Sequence, residues 1–275
     1  MMPYSRNALA KYTTRLLSEG RAVFYREEAQ RELGISRRAF LDAAERQQRR
    51  GHLIRPRRGF YVIVPPQYLK WGAPPPSWYI DPMMRHEGRA YYVGLLKAAD
   101  LHGASHQAVM AFQVVTDKRI PEIRAGRSTI TFHYRKDMDA VAGAIASQKT
   151  DTGSMKVSSV ELTMLDLLRY PHAAAGLDNI ATVLRDLGEQ FDSTELGKLA
   201  PAFARSVGQR LGHLLDALGY EGKTGELHNA IVRGPILPWV ELEPAQAADA
   251  DLVPEPIQRD ARWHVVVRRA PEPDE

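Results

Sequence analysis

Residues 34–64 of this 275-residue chain read GISRRAFLDAAERQQRRGHLIRPRRGFYVIV, and this stretch decides the fold of the N-terminal part. Gly34 tolerates the left-handed backbone of a tight turn, and Ser36 is a favourable N-cap for the helix that follows. Ile35 lies between them, and its side chain is expected to pack in the hydrophobic core of this N-terminal part. The pattern predicts a helix over residues 37–50, which Gly51 ends.

The two faces of this predicted helix differ in chemistry. At about 100° per residue, the inward face consists of Phe40, Ala43, Ala44 and Gln47. The outward face consists of Arg38, Asp42, Glu45 and Arg49, with Arg37 on the flank near the N-terminal end. In a helix-turn-helix, that end meets base edges, where arginine pairs with guanine and a carboxylate accepts from cytosine or orients an arginine. A merely solvated charged face is the alternative interpretation.

The segment that follows, HLIRPRRGFYVIV (residues 52–64), is typical of a β-hairpin. Its strands are predicted over His52–Arg55 and Phe60–Val64, with proline and glycine in the tip over residues 56–59. An arginine-rich hairpin directly after a helix-turn-helix is a wing. Arg55, Arg57 and Arg58 are therefore expected on phosphates or in a narrow minor groove, which favours DNA binding over the solvated-face interpretation.

Two further helical patterns precede the turn. The first begins after Ser5, a plausible N-cap, and runs to about Glu19, and the second spans Tyr25 to Leu33. Three helices and a wing predict a winged helix-turn-helix DNA-binding domain over residues 1–64. The predicted DNA contacts are Ser36, Arg37, Arg38, Asp42, Arg49, Arg55, Arg57 and Arg58.

Charge is segregated along the chain. Residues 1–78 hold 15 Lys and Arg against 6 Asp and Glu, a net charge of +9, whereas the remaining residues carry −5, which together give the overall +4. A basic segment of this kind is typical of a polyanion binder. No apolar run is long enough for a membrane helix and no secretory leader is evident, so a cytoplasmic protein without a membrane partner is expected. The absence of cysteine excludes disulfides, thiolate metal sites and cysteine nucleophiles.

Residues 65–82 are predicted to form a proline-rich linker. They hold six of the 18 prolines, which favour an extended polyproline II backbone. Four aromatic residues lie in the same stretch, namely Tyr68, Trp71, Trp78 and Tyr79. At least two of them are expected to pack onto a domain. A platform for stacking bases is the less favoured alternative, because Lys70 is the only interleaved cation.

Residues 83–275 are predicted to form a larger C-terminal domain. Periodicity predicts helices over residues 91–101, 159–169, 178–190 and 202–218. Strands are predicted over residues 111–116, 129–135, 239–242 and 263–268. The fold class is therefore α+β, with an N-terminal winged helix-turn-helix followed by a mixed α/β C-terminal domain that has a helical portion.

Several segments of this part resemble a known family. They are YYVGLLKAADLHGASHQAVMAFQVVTDK (91–118), MKVSSVELTMLDLLRYP (155–171), GLDNIATVLRDLGE (176–189) and QRLGHLLDALG (209–219). Together with the order of wing, helix-strand segment and helical segment, they resemble the AbiEi-type antitoxins of abortive-infection toxin–antitoxin systems. The resemblance implies a winged-helix domain that represses its own operon and a C-terminal domain that counters a nucleotidyltransferase-like toxin.

Candidate catalytic and metal-binding patterns are incomplete. His102 and His106 have the spacing of two ligands on a helix face, but a third ligand is missing and Gly103 is expected to end the helix. Glu161 and Asp166 are five residues apart and face different directions, which disfavours a carboxylate pair. Asp117-Lys118 resembles a fragment of a nuclease site without its other carboxylates. We therefore expect no catalytic residue, no metal and no cofactor.

The sequence thus predicts an antitoxin, without catalysis of its own, that binds double-stranded DNA at its own promoter and represses transcription. Inverted repeats are expected in that DNA, because a single winged helix usually gains from repeated half-sites. The cognate nucleotidyltransferase-like toxin of a type IV-like toxin–antitoxin system is the expected functional partner, and the sequence leaves open whether it is contacted directly or countered indirectly. The role would fall within phage defence. A one-component winged-helix transcription regulator with a ligand-sensing C-terminal domain is the alternative.

Overall fold

The computed structural model describes residues 7–104, 111–243 and 254–272, and they fold into two compact units. The first unit contains residues 7–92, 111–136 and 147–156. The second contains residues 93–104, 137–146, 157–243 and 254–272. The chain therefore crosses between the units several times. The predicted boundaries at residues 64 and 82 remain predictions.

Residues 7–64 form three helices and a small sheet. The elements are α1 (Ala8–Ser18), β1 (Val23–Tyr25), α2 (Arg26–Leu33), α3 (Arg37–Arg49), β2 (Leu53–Arg57) and β3 (Phe60–Ile63). The strands are antiparallel in the order β1-β3-β2, with Val62 opposite both Val23 and Ile54. This arrangement, which we call the N-terminal head (residues 7–64), is compatible with a winged helix-turn-helix.

Aromatic packing holds the N-terminal head together. The ring of Phe24 stacks on Tyr61 at 5.3 Å between centroids, and Phe40 meets Tyr61 edge-on at the same distance. All three side chains are buried, and so is Tyr12, which meets Phe24 edge-on. Burial removes several hundred Å² of apolar surface from water, which is the main stabilising contribution in a small domain. Because Phe24 lies on β1 and Phe40 on α3, this cluster fixes the helix on the sheet.

The N-terminal head differs from the sequence predictions in three places. Strand β1 was not predicted, α1 begins at Ala8 with Asn7 as N-cap, and Ser5 lies outside the described residues. The predicted hairpin tip over residues 56–59 is wrong in part, because Arg57 still pairs with Phe60 and only two residues make the turn. Gly59, with φ of 81°, supplies the left-handed backbone for so short a turn. Pro56 is accommodated because β2 is an edge strand with an irregular register.

The stretch after the N-terminal head is more compact than an extended linker. It contains two short 3-10 turns, Pro66–Tyr68 and Pro76–Trp78, followed by α4 (Ile80–His86). The side chain of Tyr79 is fully buried, and Trp78 packs edge-on against Tyr68 and donates through Nε1 to Asp151 at 2.9 Å. The expectation that at least two of the aromatic residues pack onto a domain is therefore confirmed. Trp71 is half exposed.

Six strands form the larger sheet. They are β4 (Tyr91–Val93), β5 (Ala111–Thr116), β6 (Ile123–Ala125), β7 (Ser128–Tyr134), β8 (Ile145–Thr150) and β9 (Gly153–Ser158), in the order β6-β7-β5-β4-β9-β8. β5 and β7 are parallel, and β6 returns antiparallel to β7 as a hairpin. At the turn of this β6–β7 hairpin, Gly126 has φ of 58° and touches the backbone of Trp71, so a Cβ atom there would overlap the Trp71 carbonyl oxygen.

Helices dominate the second unit. They are α5 (Leu95–Leu101), α6 (Val160–Arg169), α7 (Leu177–Leu187), α8 (Ser193–Leu199), α9 (Arg205–Ala217) and α10 (Gly225–Val232). A small sheet of β10 (Val240–Glu241), β11 (Gln258–Asp260) and β12 (Val265–Val267) accompanies them. Trp263 is fully buried against Gly212 of α9, where any larger side chain would collide with the indole. Within the described parts of the chain, no helix is long and apolar enough to cross a membrane.

The fold class is α+β, as predicted. Strands over residues 111–116 and 129–135 and the helices after residues 158, 177 and 202 are confirmed within a few residues. The prediction of a helix over all of residues 91–101 is wrong at its start, where residues 91–93 form β4. Tyr91, Tyr92 and Val93 are all buried, as expected for β-branched and aromatic residues in a central strand.

Candidate nucleic-acid interface

The turn before α3 is built as the sequence indicates. Gly34 ends α2 with φ of 62°, and the amide of Ile35 bonds back to the carbonyl of Gln30 at 3.1 Å. Ile35 packs against the core cluster of the N-terminal head, while the hydroxyl of Ser36 accepts from the amide of Ala39 at 3.2 Å. This cap ends the turn and starts the helix, so Ser36 helps to fix the position of α3, and its contact with DNA stays a prediction. Arg37 follows immediately, in the first turn.

The outer face of α3 is exposed and mostly cationic. Phe40 and Ala44 are buried on the inner face, which confirms the predicted orientation, while Arg37, Arg38 and Asp42 are exposed. Within the described residues, neither Arg37 nor Arg38 forms an ion pair. Arg49, three turns further on, instead pairs with Glu45 at 2.6 Å, so part of its charge is already compensated. The N-terminal half of α3 thus presents the less compensated positive charge.

The wing, which is the β2–β3 hairpin over residues 53–63, presents two more arginines. Arg55 and Arg58 are exposed and form no ion pair among the residues that the structure describes. The backbone of the turn is held on both sides, because the amide of Arg26 donates to Gly59 at 2.9 Å and His86 Nε2 donates to the carbonyl oxygen of Arg58 at 3.0 Å. These bonds fix the backbone from which the exposed Arg58 side chain extends.

His86 was not found by sequence reasoning. Its ring stacks on Tyr25 at 5.3 Å and packs against Phe60 at 5.7 Å, so α4 supports the wing from outside the N-terminal head. The sequence carries no signal for this, because the histidine lies 28 residues beyond the carbonyl that it binds.

Arg57 differs from the other wing arginines. Its guanidinium lies 5.5 Å from the centroid of the Phe132 ring on β7 and donates to the carbonyl oxygens of Pro121 and Pro56, each at 3.4 Å. It is about half buried, and this burial lowers the pKa of the guanidinium despite the nearby charge of Glu87. The structure therefore brings Arg57 to the β6–β7 hairpin, and its contact with DNA stays a prediction.

The remaining candidates have structural partners. The ring of His102 donates to the carbonyl oxygen of Ser158 at 2.8 Å, and His106 lies outside the described residues. Glu161 accepts from the amide of Asp192 at 2.8 Å, which ties α6 to the start of α8. Asp117 accepts from the Thr116 hydroxyl at 3.4 Å, and Arg89 lies 3.9 Å away. Among the residues described, no group of three His, Asp or Glu side chains could hold a metal ion.

The fold is α+β, and the N-terminal head exposes arginines on α3 and on the wing. Residues 92–217 match the family model of the AbiEi antitoxin C-terminal domain. The chain thus contains a region that matches the AbiEi antitoxin C-terminal domain, as the sequence resemblance indicated. This supports a role as the antitoxin of a toxin–antitoxin system.

A solved structure has a similar fold. The crystal structure of the RV2827C protein from Mycobacterium tuberculosis matches with a TM-score of 0.68, covering 97% of this chain and 92% of that chain. The two sequences are 16% identical, so this likeness concerns the fold alone. No curated protein matches the chain in sequence.

Proposed function

We propose that this antitoxin binds double-stranded DNA at its own promoter through α3 and the wing, and thereby represses its operon. The observation that carries the proposal is the set of exposed arginines without acidic partners among the described residues, namely Arg37, Arg38, Arg55 and Arg58. A cation that has no carboxylate beside it is free to replace the counterions of a phosphate. The first helical turn of α3 is the part of such a motif that reads bases.

The roles of the two groups differ. Arg37 and Arg38, at the start of α3, are proposed to read base edges in the major groove, with guanine as the preferred partner. Arg55 and Arg58 on the wing are proposed to contact phosphates, which fixes position without reading sequence. Asp42 and Arg49 lie further along the same face of α3 and complete the proposed contact set with Ser36 and Arg57.

Binding assays with the full chain test this proposal. The probe is a duplex from the region upstream of its own gene that contains inverted repeats, and a scrambled duplex of the same composition is the reference. We expect tighter binding to the first duplex and a loss of that preference in the double variant Arg37→Ala/Arg38→Ala. Equal affinity of the wild type for both duplexes would overturn sequence-specific repression.

We further propose that the chain counters a nucleotidyltransferase-like toxin through its C-terminal domain, without catalysis of its own. The family match over residues 92–217 supports this role. Co-expression of the full chain with the toxin encoded beside it, scored by growth, is the test. Rescue that persists in the Arg37→Ala/Arg38→Ala variant is expected, because neutralisation and DNA binding would then use different residues. Failure of the wild type to restore growth would contradict the proposal.

A further inference from the structure

A cavity opens in the N-terminal head between the outer face of α1 and the end of α3. Its volume is about 530 Å³, which lies in the range of sites for small organic ligands. Three of the side chains that line it are cations, namely Lys11, Arg15 and Arg50, and none of the described residues in the lining is acidic. We call it the α1–α3 cavity.

Two of these three cations lack a counter-charge. Arg15 forms ion pairs with Glu19, at 3.6 Å, and with Glu32. Lys11 and Arg50 are exposed, and neither forms an ion pair within the part of the chain that the structure describes. One of them belongs to each wall of the cavity. A concave site lined by charges of one sign concentrates ligands of the opposite sign, so the α1–α3 cavity favours a ligand with at least two negative charges.

The neutral groups of the lining add both acceptors and donors. The hydroxyls of Thr14 and Ser18 donate to α1 carbonyl oxygens three or four residues earlier, at 3.0 and 2.7 Å, so their own oxygens are left to accept from a ligand. Gln47 Oε1 accepts from His52 Nδ1 at 3.1 Å, which leaves the Gln47 amide group to donate. A bare anion only accepts hydrogen bonds. The lining therefore fits a molecule that has hydroxyl or amino groups as well as negative charge.

The location of the cavity separates it from the proposed base contacts. Arg37 begins α3, whereas Arg50 follows its last residue, and at 1.5 Å per residue the two are about 20 Å apart along the helix axis. A base edge held by the first turn of α3 therefore does not reach the cavity. The α1–α3 cavity is a site for a second molecule.

We propose that the α1–α3 cavity binds a small phosphorylated ligand of nucleotide size, with its phosphate groups between Lys11 and Arg50. Hydroxyl or amino groups of the ligand donate to Thr14 and Ser18, and Gln47 donates to the ligand. Because the ligand contacts both α1 and the end of α3, its binding stabilises the folded N-terminal head. This inference goes beyond the proposed function and does not depend on DNA binding.

Calorimetric titration of the full chain with ATP, in magnesium-free buffer, tests the site. We expect saturable binding and a Tm that rises with ATP concentration. Lys11→Gln and Arg50→Gln should each weaken ATP binding roughly tenfold or more, because each loses a charge-assisted hydrogen bond to phosphate. Arg31→Gln is the matched control, since Arg31 is an exposed cation of α2 outside the lining. It should bind ATP like the wild type.

Sodium triphosphate is the probe for charge alone. It should bind more weakly than ATP, because it brings no hydroxyl or amino donor for Thr14 and Ser18. Equal affinity for the two probes would overturn the organic part of the ligand. If the wild type shows no saturable ATP binding, or if both cavity variants bind ATP as Arg31→Gln does, the site itself is overturned.

Salt titration with the upstream duplex addresses the other source of phosphate. A lower slope of log K against log salt in Lys11→Gln or Arg50→Gln, in a protein that does not bind ATP, would assign these cations to the DNA backbone and overturn the inference. If the wild type binds ATP and not the duplex, the proposed function fails and the inference stands.

Discussion

His86 Nε2 donates to the carbonyl oxygen of Arg58 at 3.0 Å, so a residue of α4 fixes the turn of the wing. The same ring stacks on Tyr25, which precedes α2 and pairs with Phe60 across the sheet. One side chain thus touches the strand before α2, the strand after the turn and the turn itself. The position of Arg58 depends on a segment outside the N-terminal head.

Removing this hydrogen bond should loosen the wing and leave the N-terminal head folded. His86→Phe keeps an aromatic ring against Tyr25, so its packing resembles that of the wild type. It loses only the hydrogen-bond donor to the Arg58 carbonyl. We expect affinity for the upstream duplex to fall roughly twofold to tenfold, because one such bond contributes about 0.5–1.5 kcal/mol. His228→Phe, in the second unit, is the control. Unchanged affinity in His86→Phe would show that the turn is held without this bond.

The arginines of α3 and of the wing should give different mutational signatures. Arg38→Ala is expected to reduce the preference for the upstream duplex over its scrambled counterpart, by about 1–3 kcal/mol if the guanidinium bonds a guanine in bidentate fashion. Arg58→Ala should weaken both duplexes equally and lower the salt slope by about 0.9. Equilibrium binding at several salt concentrations separates these results. Identical signatures for the two variants would contradict the division into base and phosphate contacts.

Ser36 is a position where substitution should change stability whatever its effect on DNA binding. Ser36→Ala removes the acceptor for the Ala39 amide and should lower the free energy of unfolding by about 1 kcal/mol. Ser36→Asn retains a capping oxygen and should restore most of that stability. Urea denaturation of the full chain measures both. Equal destabilisation by the two substitutions would mean that the cap is unimportant at this site.

The turn of the β6–β7 hairpin should tolerate only glycine. Gly126→Ala would set a Cβ atom against the Trp71 carbonyl oxygen in a left-handed backbone, so a loss of more than about 2 kcal/mol is expected. Gly222→Ala is a matched control, because a Cβ atom there meets nothing within 4 Å. Thermal unfolding compares them. A normal Tm for Gly126→Ala would exclude close approach of the two backbones.

Asp260 should make the stability of the second unit dependent on pH. Burial opposes its ionisation, but the hydrogen bond from His213 at 2.7 Å and the amides of Arg262 and Trp263 lower its pKa. A carboxyl group with a lowered pKa contributes stability above its unfolded value of about 3.9, and this contribution is lost as pH falls through the folded value.

Asp260→Asn should therefore lower the free energy of unfolding by on the order of 1–3 kcal/mol at pH 7. The difference from the wild type should shrink as pH falls below about 3.9, where the carboxyl of the unfolded chain becomes protonated, until the folded carboxyl is protonated as well. Asp42→Asn, on the exposed face of α3, is the control and should have little effect at either pH. A constant difference between Asp260→Asn and the wild type from pH 7 to pH 3 would contradict the role of the ionised carboxylate.

Local signals explain what could be predicted. The glycine turn, the Ser36 cap and the apolar spacing of Phe40 and Ala44 all lie close together in the sequence, so α3 and its orientation followed from the residues themselves. The strands over residues 111–116 and 129–135 also show their own pattern. Family resemblance, rather than any local chemistry, identified the antitoxin domain.

Long-range contacts explain what was missed. Strand β1 is very short, and both α2 and α3 separate it along the chain from its pairing partner β3. Strands β8 and β9 are mostly polar and half exposed, so neither shows an apolar pattern. The burial of Arg57 depends on Phe132 and Pro121, which no local window contains. These features arise only when distant segments pack together.

The return of residues 111–136 and 147–156 to the first unit limits how this chain can be divided. The AbiEi-matched region begins at residue 92 and contributes those segments, so a cut between the N-terminal head and the antitoxin domain would divide the first unit. The N-terminal head is therefore not a separate domain that can be exchanged by itself. Exchange of residues 1–64 between relatives should preserve the fold of the first unit only when the β6–β7 hairpin is exchanged with them, because Arg57 packs on Phe132 and bonds to Pro121.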